Sequence, residues 1–451
     1  MGAASDLPSA GSVFIGMLKS HLLASLVFMA CASTSAAETK PLFKHFMGVN
    51  GHTVQFKPEL YKSVCRLVRD YHPVAWDLGE DSDFATTFPM ARNRVSWEQV
   101  YGAWKKHGFV TDACLMFESL KQAKWKDIPR DAHAYGLAFA KFAGPSSATP
   151  LVSSVEIGNE PGSFDDKSYR AMFEAMAQGV RAGDPKLTIA TCALTLGKSH
   201  AYAKSVACLD GLGALYDALN IHDYAQAEGW PTWRRSYPED PALPYLKEIG
   251  DMAAWRDTNA AGKPLWVTEF GWDASTKPAP KTGDFAKWQG NTETQQAQWL
   301  VRSFLVFAKL PVARAYIYFF NDSDQPQMHG SAGLTRNFKP KPAFYAVAHL
   351  YATLGEYRFA RVLSEERGGT YAYEFVNGAD PSQRIWALWS ATNSGRSATI
   401  ALPLDGLKVM AAERTPLTNA PAETVPLKES GNQIEVPVSE TPVLLQLRIK
   451  N

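Results

Sequence analysis

Strand-like and helix-like stretches alternate eight times between about residues 46 and 351, and this alternation constrains the fold more than any other feature of the chain. The strands read as short apolar runs: Phe46–Asn50, Pro73–Leu78, Phe109–Phe117, Val152–Glu160, Leu187–Leu194, Ala218–Tyr224, Pro264–Phe270 and Ala313–Phe320. Between them lie stretches with helical signals. Pro58–Asp70 has apolar residues at 60, 64, 67 and 68 behind an N-terminal proline, Ser96–His107 opens on a capping serine, and Thr292–Leu310 opens on a capping threonine. Lys204–Leu212 falls in a further helical stretch, and Arg69 falls in the helix before the second strand. Near-continuous apolar strands separated by helices specify a parallel sheet covered on both faces. Eight such units specify closure into a (β/α)8 barrel, an α/β TIM barrel over residues 38–355. An open doubly wound sheet is the rival, but no GxGxxG turn follows the first strand.

The pattern changes after about residue 356. Arg358–Leu363, Thr370–Phe375, Arg384–Ser390, Ser397–Leu402, Lys408–Ala412, Gln433–Val436 and Pro442–Ile449 are short β-like runs separated by Gly, Asp, Asn and Pro. Their spacing specifies a C-terminal all-β sandwich over 356–451 that packs against the barrel. At the other end, Lys19, the apolar run Leu22–Ala30 and the small residues Ala32–Ala37 form a secretory signal over 1–37, cleaved after Ala37. The expected location is secreted or periplasmic. Lipoprotein anchoring at Cys31 is the weaker reading, because Phe28-Met29-Ala30 makes a poor lipobox.

A formal net charge of +1 with 20% charged residues gives no electrostatic case for nucleic acid or an anionic membrane surface. No segment beyond the leader is apolar and long enough to span a bilayer. The five cysteines form no CxxC pair, which argues against a zinc site. Cys192 and Cys208 can bridge a barrel turn, but free buried thiols are favoured. Asn321, Asp322 and Asp324 match no ordered calcium loop and read as a solvated loop, so no metal and no cofactor are expected.

Two apolar strands end in glutamate: Val155-Glu156-Ile157-Gly158-Asn159-Glu160-Pro161 and Leu265-Trp266-Val267-Thr268-Glu269-Phe270-Gly271. A carboxylate there is costly unless it has a task, and the C-terminal ends of barrel strands are where such folds carry chemistry. Two carboxyl groups facing one bond suit glycosidic cleavage, in which one must hold a proton and the other must be ionised. Glu156, four residues before Glu160 and deeper in the barrel, is expected to pair with a buried Arg or Lys.

Gly158-Asn159-Glu160-Pro161 on the fourth strand and Thr268-Glu269-Phe270-Gly271 on the seventh resemble the motifs of clan A glycoside hydrolases, which include the cellulase-like family 5 and the xylosidase-like family 39. His222-Asp223-Tyr224 resembles the clan's His-x-Tyr at the end of the sixth strand. The resemblance implies that Glu160 is acid/base, Glu269 is nucleophile, and Asn159 binds the hydroxyl beside the anomeric carbon. It also implies that Tyr224 bonds the nucleophile, that His222 contacts sugar or carboxylate, and that cleavage retains anomeric configuration. Family 5 often carries an Arg near the second strand and a Trp ending the eighth. Here Arg92 and Arg94 are the arginine candidates, and the eighth strand ends Phe319-Phe320-Asn321.

Further substrate contacts are expected from Asp77 and Glu118 at the ends of the second and third strands and from His52 after the first. Trp272 is a candidate sugar platform after the seventh, and Trp230 a candidate in the loop after the sixth. The reading is a secreted retaining glycoside hydrolase acting on an oligo- or polysaccharide. A transglycosylase using the same residues and a non-catalytic carbohydrate-binding barrel are its rivals.

Overall fold

A computed structural model describes residues 39–52 and 57–450. The leader and Cys31 lie outside the described residues. Eight strands run parallel: β1 (Met47–Gly51), β2 (Leu67–Pro73), β3 (Val110–Met116), β4 (Ser154–Ile157), β5 (Thr188–Thr195), β6 (Ala218–His222), β7 (Leu265–Phe270) and β8 (Val312–Ile317). Each pairs with its chain neighbours, β1 pairs with β8, and β4 pairs with β5, so the sheet closes on itself. This is the expected (β/α)8 barrel.

Two elements near its start differ from the sequence reading. The run Pro58–Asp70 forms only one helical turn, Pro58–Tyr61, before the chain becomes β2. The supposed second strand, Pro73–Leu78, is instead the last residue of β2 followed by a short helix, Val74–Leu78. Apolar residues at 60, 64, 67 and 68 satisfy a helical period, but Leu67–Pro73 pairs residue for residue with Val110–Met116 in the barrel wall. Tertiary pairing thus overrides local periodicity. After β5, the stretch read as helical holds a two-residue strand, Lys204–Ser205, and the 3-10 turn Val206–Leu209.

The remaining crossovers are regular helices. Trp97–Lys106 is capped by the Ser96 hydroxyl, and Glu293–Lys309 opens on a capping box in which Thr292 and Gln295 each accept from the other's backbone N–H. Among the described residues no helix is long and apolar enough to cross a membrane.

Beyond the last barrel helix, Pro342–Leu354, the chain is all β: β9 (Tyr357–Glu365), β10 (Thr370–Asn377), β11 (Gln383–Ser390), β12 (Ala398–Pro403), β13 (Leu407–Arg414), β14 (Glu423–Thr424), β15 (Lys428–Ser430), β16 (Gln433–Val438) and β17 (Val443–Ile449). They form antiparallel sheets in the orders β9-β10-β11-β17-β13-β14 and β12-β16-β15. Trp386, Leu388, Ile400, Ile434, Val436 and Leu445 fill the space between the sheets, making a sandwich. The opposite face of the larger sheet joins the barrel core through Tyr371, Tyr373, Phe375 and Trp389.

From Lys40 onward barrel and sandwich form one compact unit. A buried ionic joint ties them. Arg302, on the helix after β7, holds Glu239 through both Nε and Nη2 and Glu440 of the sandwich through Nη1 (2.6 Å). The Trp389 indole donates to Glu239 at 2.7 Å.

Candidate active site

The barrel interior is polar toward its C-terminal mouth. Asn50 on β1, Arg69 on β2, Glu156 on β4, Asn220 on β6 and Thr268 on β7 are all fully buried. Arg69 is the centre of this layer. Its Nε and Nη2 grip Glu156 at 2.9 and 2.6 Å, a fork-to-fork pairing that satisfies the deeper carboxylate as the sequence led us to expect. Its Nη1 donates to Asn50 Oδ1 at 2.8 Å and to Glu269 Oε1 at 3.1 Å, and Nη2 also reaches Asn159 Oδ1 at 2.8 Å. Asn50 in turn donates to the Thr268 and Ile317 carbonyls, fixing β1 against β7 and β8.

Glu269 lies within β7 with its side chain 6% exposed. Oε1 accepts from Tyr71 at 2.6 Å besides Arg69, and Oε2 accepts from Tyr224 at 2.8 Å. Burial alone would raise its pKa, but His222, Arg69 and the two tyrosine hydroxyls outweigh burial and bring it down to about 2. This carboxylate is therefore ionised across the physiological range.

Glu160 stands three residues beyond β4, on a turn that begins at Gly158 (φ 84°). A Cβ there would meet the Phe117 ring at 2.6 Å, so both backbone and space demand glycine. The turn carries Asn159 and Glu160 over the barrel mouth. Glu160 is the more open carboxylate, its side chain 26% exposed. His222 Nδ1 lies 2.9 Å from Glu160 Oε1 and 3.6 Å from Glu269 Oε2, so a proton on Nδ1 sits between the two carboxylates. Burial lowers the His222 pKa, yet Glu269 and Glu160 together leave it raised.

One atom each from Glu160, His222 and Glu269 lie within 4.8 Å of one another. Such a trio has the makeup of a metal site, but its donors are already bound to protons and to a guanidinium. Tyr71, Tyr224 and Arg69 occupy Glu269, and a cation would sit beside the Arg69 charge.

The remaining sequence candidates scatter. His52 stands at the mouth, its ring 5.6 Å from Tyr71 and 5.0 Å from Phe319. Trp230 is 69% exposed on the rim, while its loop neighbour Trp233 lines the cavity beside Glu160. Trp272 is not a platform: it is fully buried, donates to the Ser236 carbonyl at 2.7 Å, and packs on Trp299. Asp77 is not a mouth residue either. It lies on the short helix after β2, where Trp97, His72 and Tyr135 surround its carboxylate. Asp322 and Asp324 are not a solvated loop. They are buried, with Lys341 on Asp322 and Arg336 near both. Cys65, Cys114, Cys192 and Cys208 are free and buried.

Glu118 approaches the site from behind instead of facing a ligand. It sits on the turn after β3, and its Oε1 accepts the backbone N–H of Asn159 (2.9 Å) and of Glu160 (3.2 Å). Burial lifts its pKa to about 7, with those N–H groups working against the shift. Because the folded pKa exceeds the ordinary carboxyl value of 4.5, the proton favours folding below pH 4.5, and that contribution is lost as pH rises through 7. Glu118→Gln keeps an acceptor for both N–H groups. It is expected to retain kcat within about threefold while flattening stability between pH 4.5 and 7. Glu118→Ala frees the turn, and kcat should fall roughly tenfold with KM little changed. Steady-state kinetics and urea unfolding against pH check both, and equal kcat for the alanine and glutamine variants would remove the positioning role.

Sequence reasoning missed Arg69, Tyr71 and Tyr318. Arg69-Asp70-Tyr71 alternates so that positions 69 and 71 share the inward face, a signal visible only once β2 is placed at Leu67–Pro73. Arg92 and Arg94, the earlier candidates, lie outside this cluster; Arg92 stacks over Phe84. Tyr318 follows β8, its ring 5.1 Å from His329.

No family model and no curated protein matches this sequence. Solved structures do match its fold. A family 39 glycoside hydrolase from Bacteroides cellulosilyticus WH2 superposes with TM-score 0.65 at 17% identity, covering 91% of this chain and 81% of that one. A glucosidase from Croceicoccus marinus gives 0.62 at 13% identity over 92% and 98%. AbfB, a family 51 alpha-L-arabinofuranosidase from Bifidobacterium longum, gives 0.60 at 12% over 91% and 97%. The likeness is one of fold, shared with these three proteins over 91–92% of this chain.

Proposed function

We propose that this protein is a retaining O-glycoside hydrolase, with Glu269 as nucleophile and Glu160 as acid/base. The observation that carries the reading is the unequal treatment of two carboxylates at one mouth. Glu269 is buried and held ionised by Arg69, Tyr71, Tyr224 and His222. Glu160 is open to the cleft, with His222 at one oxygen. One oxygen of each lies within 4.8 Å of the other. That closeness supports the retaining arrangement, with carboxyl groups ~5–5.5 Å apart, over the ~6.5–9.5 Å of an inverting site.

In the first step a Glu269 oxygen bonds the anomeric carbon, the glycosidic C–O bond breaks, and Glu160 gives its proton to the departing oxygen. In the second, Glu160 takes a proton from water as the water oxygen bonds the anomeric carbon and Glu269 leaves. Asn159, with its oxygen held by Arg69, presents its NH2 to the hydroxyl next to that carbon.

The test is intact mass after incubation with a panel of 2-deoxy-2-fluoro glycosides, which slow breakdown of the covalent intermediate. A mass increase mapped to Glu269 is expected. An adduct on another residue, or turnover with inverted configuration, would overturn the assignment.

A further inference from the structure

Beside the catalytic carboxylates a cavity of about 570 Å3 runs from Glu160 and His222 across the end of β6 to the helix Tyr245–Asn259. Its size falls within the ~300–1,000 Å3 of small-molecule sites. Glu160 lines it and Glu269 does not. In the mechanism above, Glu160 is the group that faces the departing oxygen, so the cavity lies on the leaving-group side.

The far wall of this cavity is acidic. Asp223, Glu248 and Asp251 all line it. Asp251 is matched by Lys247 at 2.5 Å on the same helix. Asp223 is only 8% exposed, and its Oδ2 has no hydrogen-bond partner among the described residues. A buried carboxyl oxygen left this way costs free energy.

The basic groups nearby are engaged elsewhere. Arg235, the guanidinium lining the cavity, donates to the Gly271 carbonyl, faces Asp273 at 3.4 Å, and stacks on the Tyr224 ring at 4.0 Å. His329 is turned away from protonation by burial and by Arg235. His200 lines the wall formed after β5. Burial, and then Glu248, push the Asp223 pKa well above the ordinary carboxylate value. Burial, and then Asp251, raise that of Glu248, with Lys247 opposing. Glu248 destabilises the Asp223 carboxylate and Asp251 that of Glu248, so a cation bound in this cavity would favour their ionised forms.

A metal ion fits this wall poorly. Among the described residues, the trio of carboxylate and imidazole atoms close enough to ligate one ion is Glu160, His222 and Glu269, with neither Asp223 nor Glu248 in it. A primary ammonium needs no such closed shell, since its three N–H donors spread over separate acceptors. Leu196, Tyr202 and Trp233 line the same cavity and supply apolar surface for the face of a sugar ring.

We propose that this cavity is a leaving-group subsite for a sugar carrying a free ammonium group, with Asp223 and Glu248 as its counter-ions and Glu160 at its reactive end. The inference rests on the hydrolase reading for its orientation, but its test reads binding alone.

Calorimetric titration of the wild-type chain at pH 7 compares three probes of equal length: a glucosamine trimer, its N-acetylated counterpart and the glucose counterpart. The amine is expected to bind at least tenfold tighter than either neutral probe, with the difference shrinking as salt rises. Asp223→Asn and Glu248→Gln should each bring the three within about threefold. Glu248 is only partly buried, so its variant serves if Asp223→Asn does not fold.

Equal affinity for the three probes in the wild type, or a preference for the neutral ones, overturns the proposal. So does an amine preference that survives both substitutions, or displacement of the amine by equimolar calcium. If the amine binds as expected while no glycoside in a broad panel is cleaved, the hydrolase reading falls and the subsite stands.

Discussion

Glu269→Ala is expected to lower kcat by at least about 10^4-fold while leaving the barrel folded. The size follows from the step removed: without this carboxylate no group on that face of the sugar can form the covalent intermediate. The fold survives because Arg69 keeps its paired grip on Glu156 and its bond to Asn50. Tyr71 and Tyr224 lose an acceptor, at a cost of about 1–3 kcal/mol each if nothing replaces it. Azide should restore part of the rate on an activated aryl glycoside. It enters the vacated space, attacks the anomeric carbon from that face in one displacement, and yields the glycosyl azide of inverted configuration. In Glu160→Ala the first step still runs on a good leaving group. Azide then attacks the glycosyl-enzyme, so the configuration is retained. Proton NMR of the two azide products reads the assignment of roles directly. Turnover within tenfold of wild type in a folded Glu269→Ala variant would refute the nucleophile assignment, and inversion in both variants would refute the division of roles.

The ionised state of Glu269 also fixes a stability window. Its folded pKa of about 2 lies below the ordinary 4.5. Its contribution is therefore complete above pH 4.5 and is lost as pH falls toward 2. An acid limb of activity above pH 4 is therefore expected to come from groups other than Glu269.

What the sequence disclosed and what it hid divide along a physical line. Seven of the eight strands were legible because parallel strands buried on both faces are continuous apolar runs, and Val155–Ile157 and Leu265–Phe270 are such runs. Glu156, Glu160 and Glu269 stood out because a charge among apolar neighbours is conspicuous. β2 was hidden for the opposite reason. Leu67-Val68-Arg69-Asp70-Tyr71-His72 carries as many polar residues as apolar ones, and all but Tyr71 are buried. Its inward side chains Arg69 and Tyr71 hold the Glu269 carboxylate, while His72 on the other face joins the Asp77 cluster, so the element most involved in the site looked least like a strand. Trp272 shows the converse. An aromatic next to the Glu269 strand looks like a sugar platform in one dimension, but the residue points outward, under the helix after β7. Asp77 misled through the same shift that displaced β2. Once the strand ends at Pro73, residue 77 belongs to a helix and its carboxylate to the cluster of His72, Trp97 and Tyr135.

The hidden residue is also the one whose loss should be felt most in stability. Arg69→Met conserves the bulk of the side chain and removes its charge. Glu156 is then a fully buried carboxylate without a cation, and Asn50 and Asn159 each lose a donor. Breaking a buried pair from one side costs about 3–5 kcal/mol, so a shift of that size is expected in urea unfolding. Activity should fall separately. Glu269 loses one of the groups that hold its pKa down, and the acid limb of kcat/KM moves to higher pH. Arg69→Lys restores a point charge without the fork, and should recover part of the stability but not the joint positioning of Glu156, Asn159 and Glu269.

The double variant Arg69→Met/Glu156→Gln separates the two roles. Neutralising the stranded carboxylate should return at least about 2 kcal/mol of the loss, because most of the single variant's penalty is an unpaired buried charge. Activity should stay low, because Glu269 remains without its guanidinium. Recovery of both together would mean that Arg69 acts on catalysis only through the fold. Recovery of neither would mean that its contact with Glu156 is not what makes it indispensable.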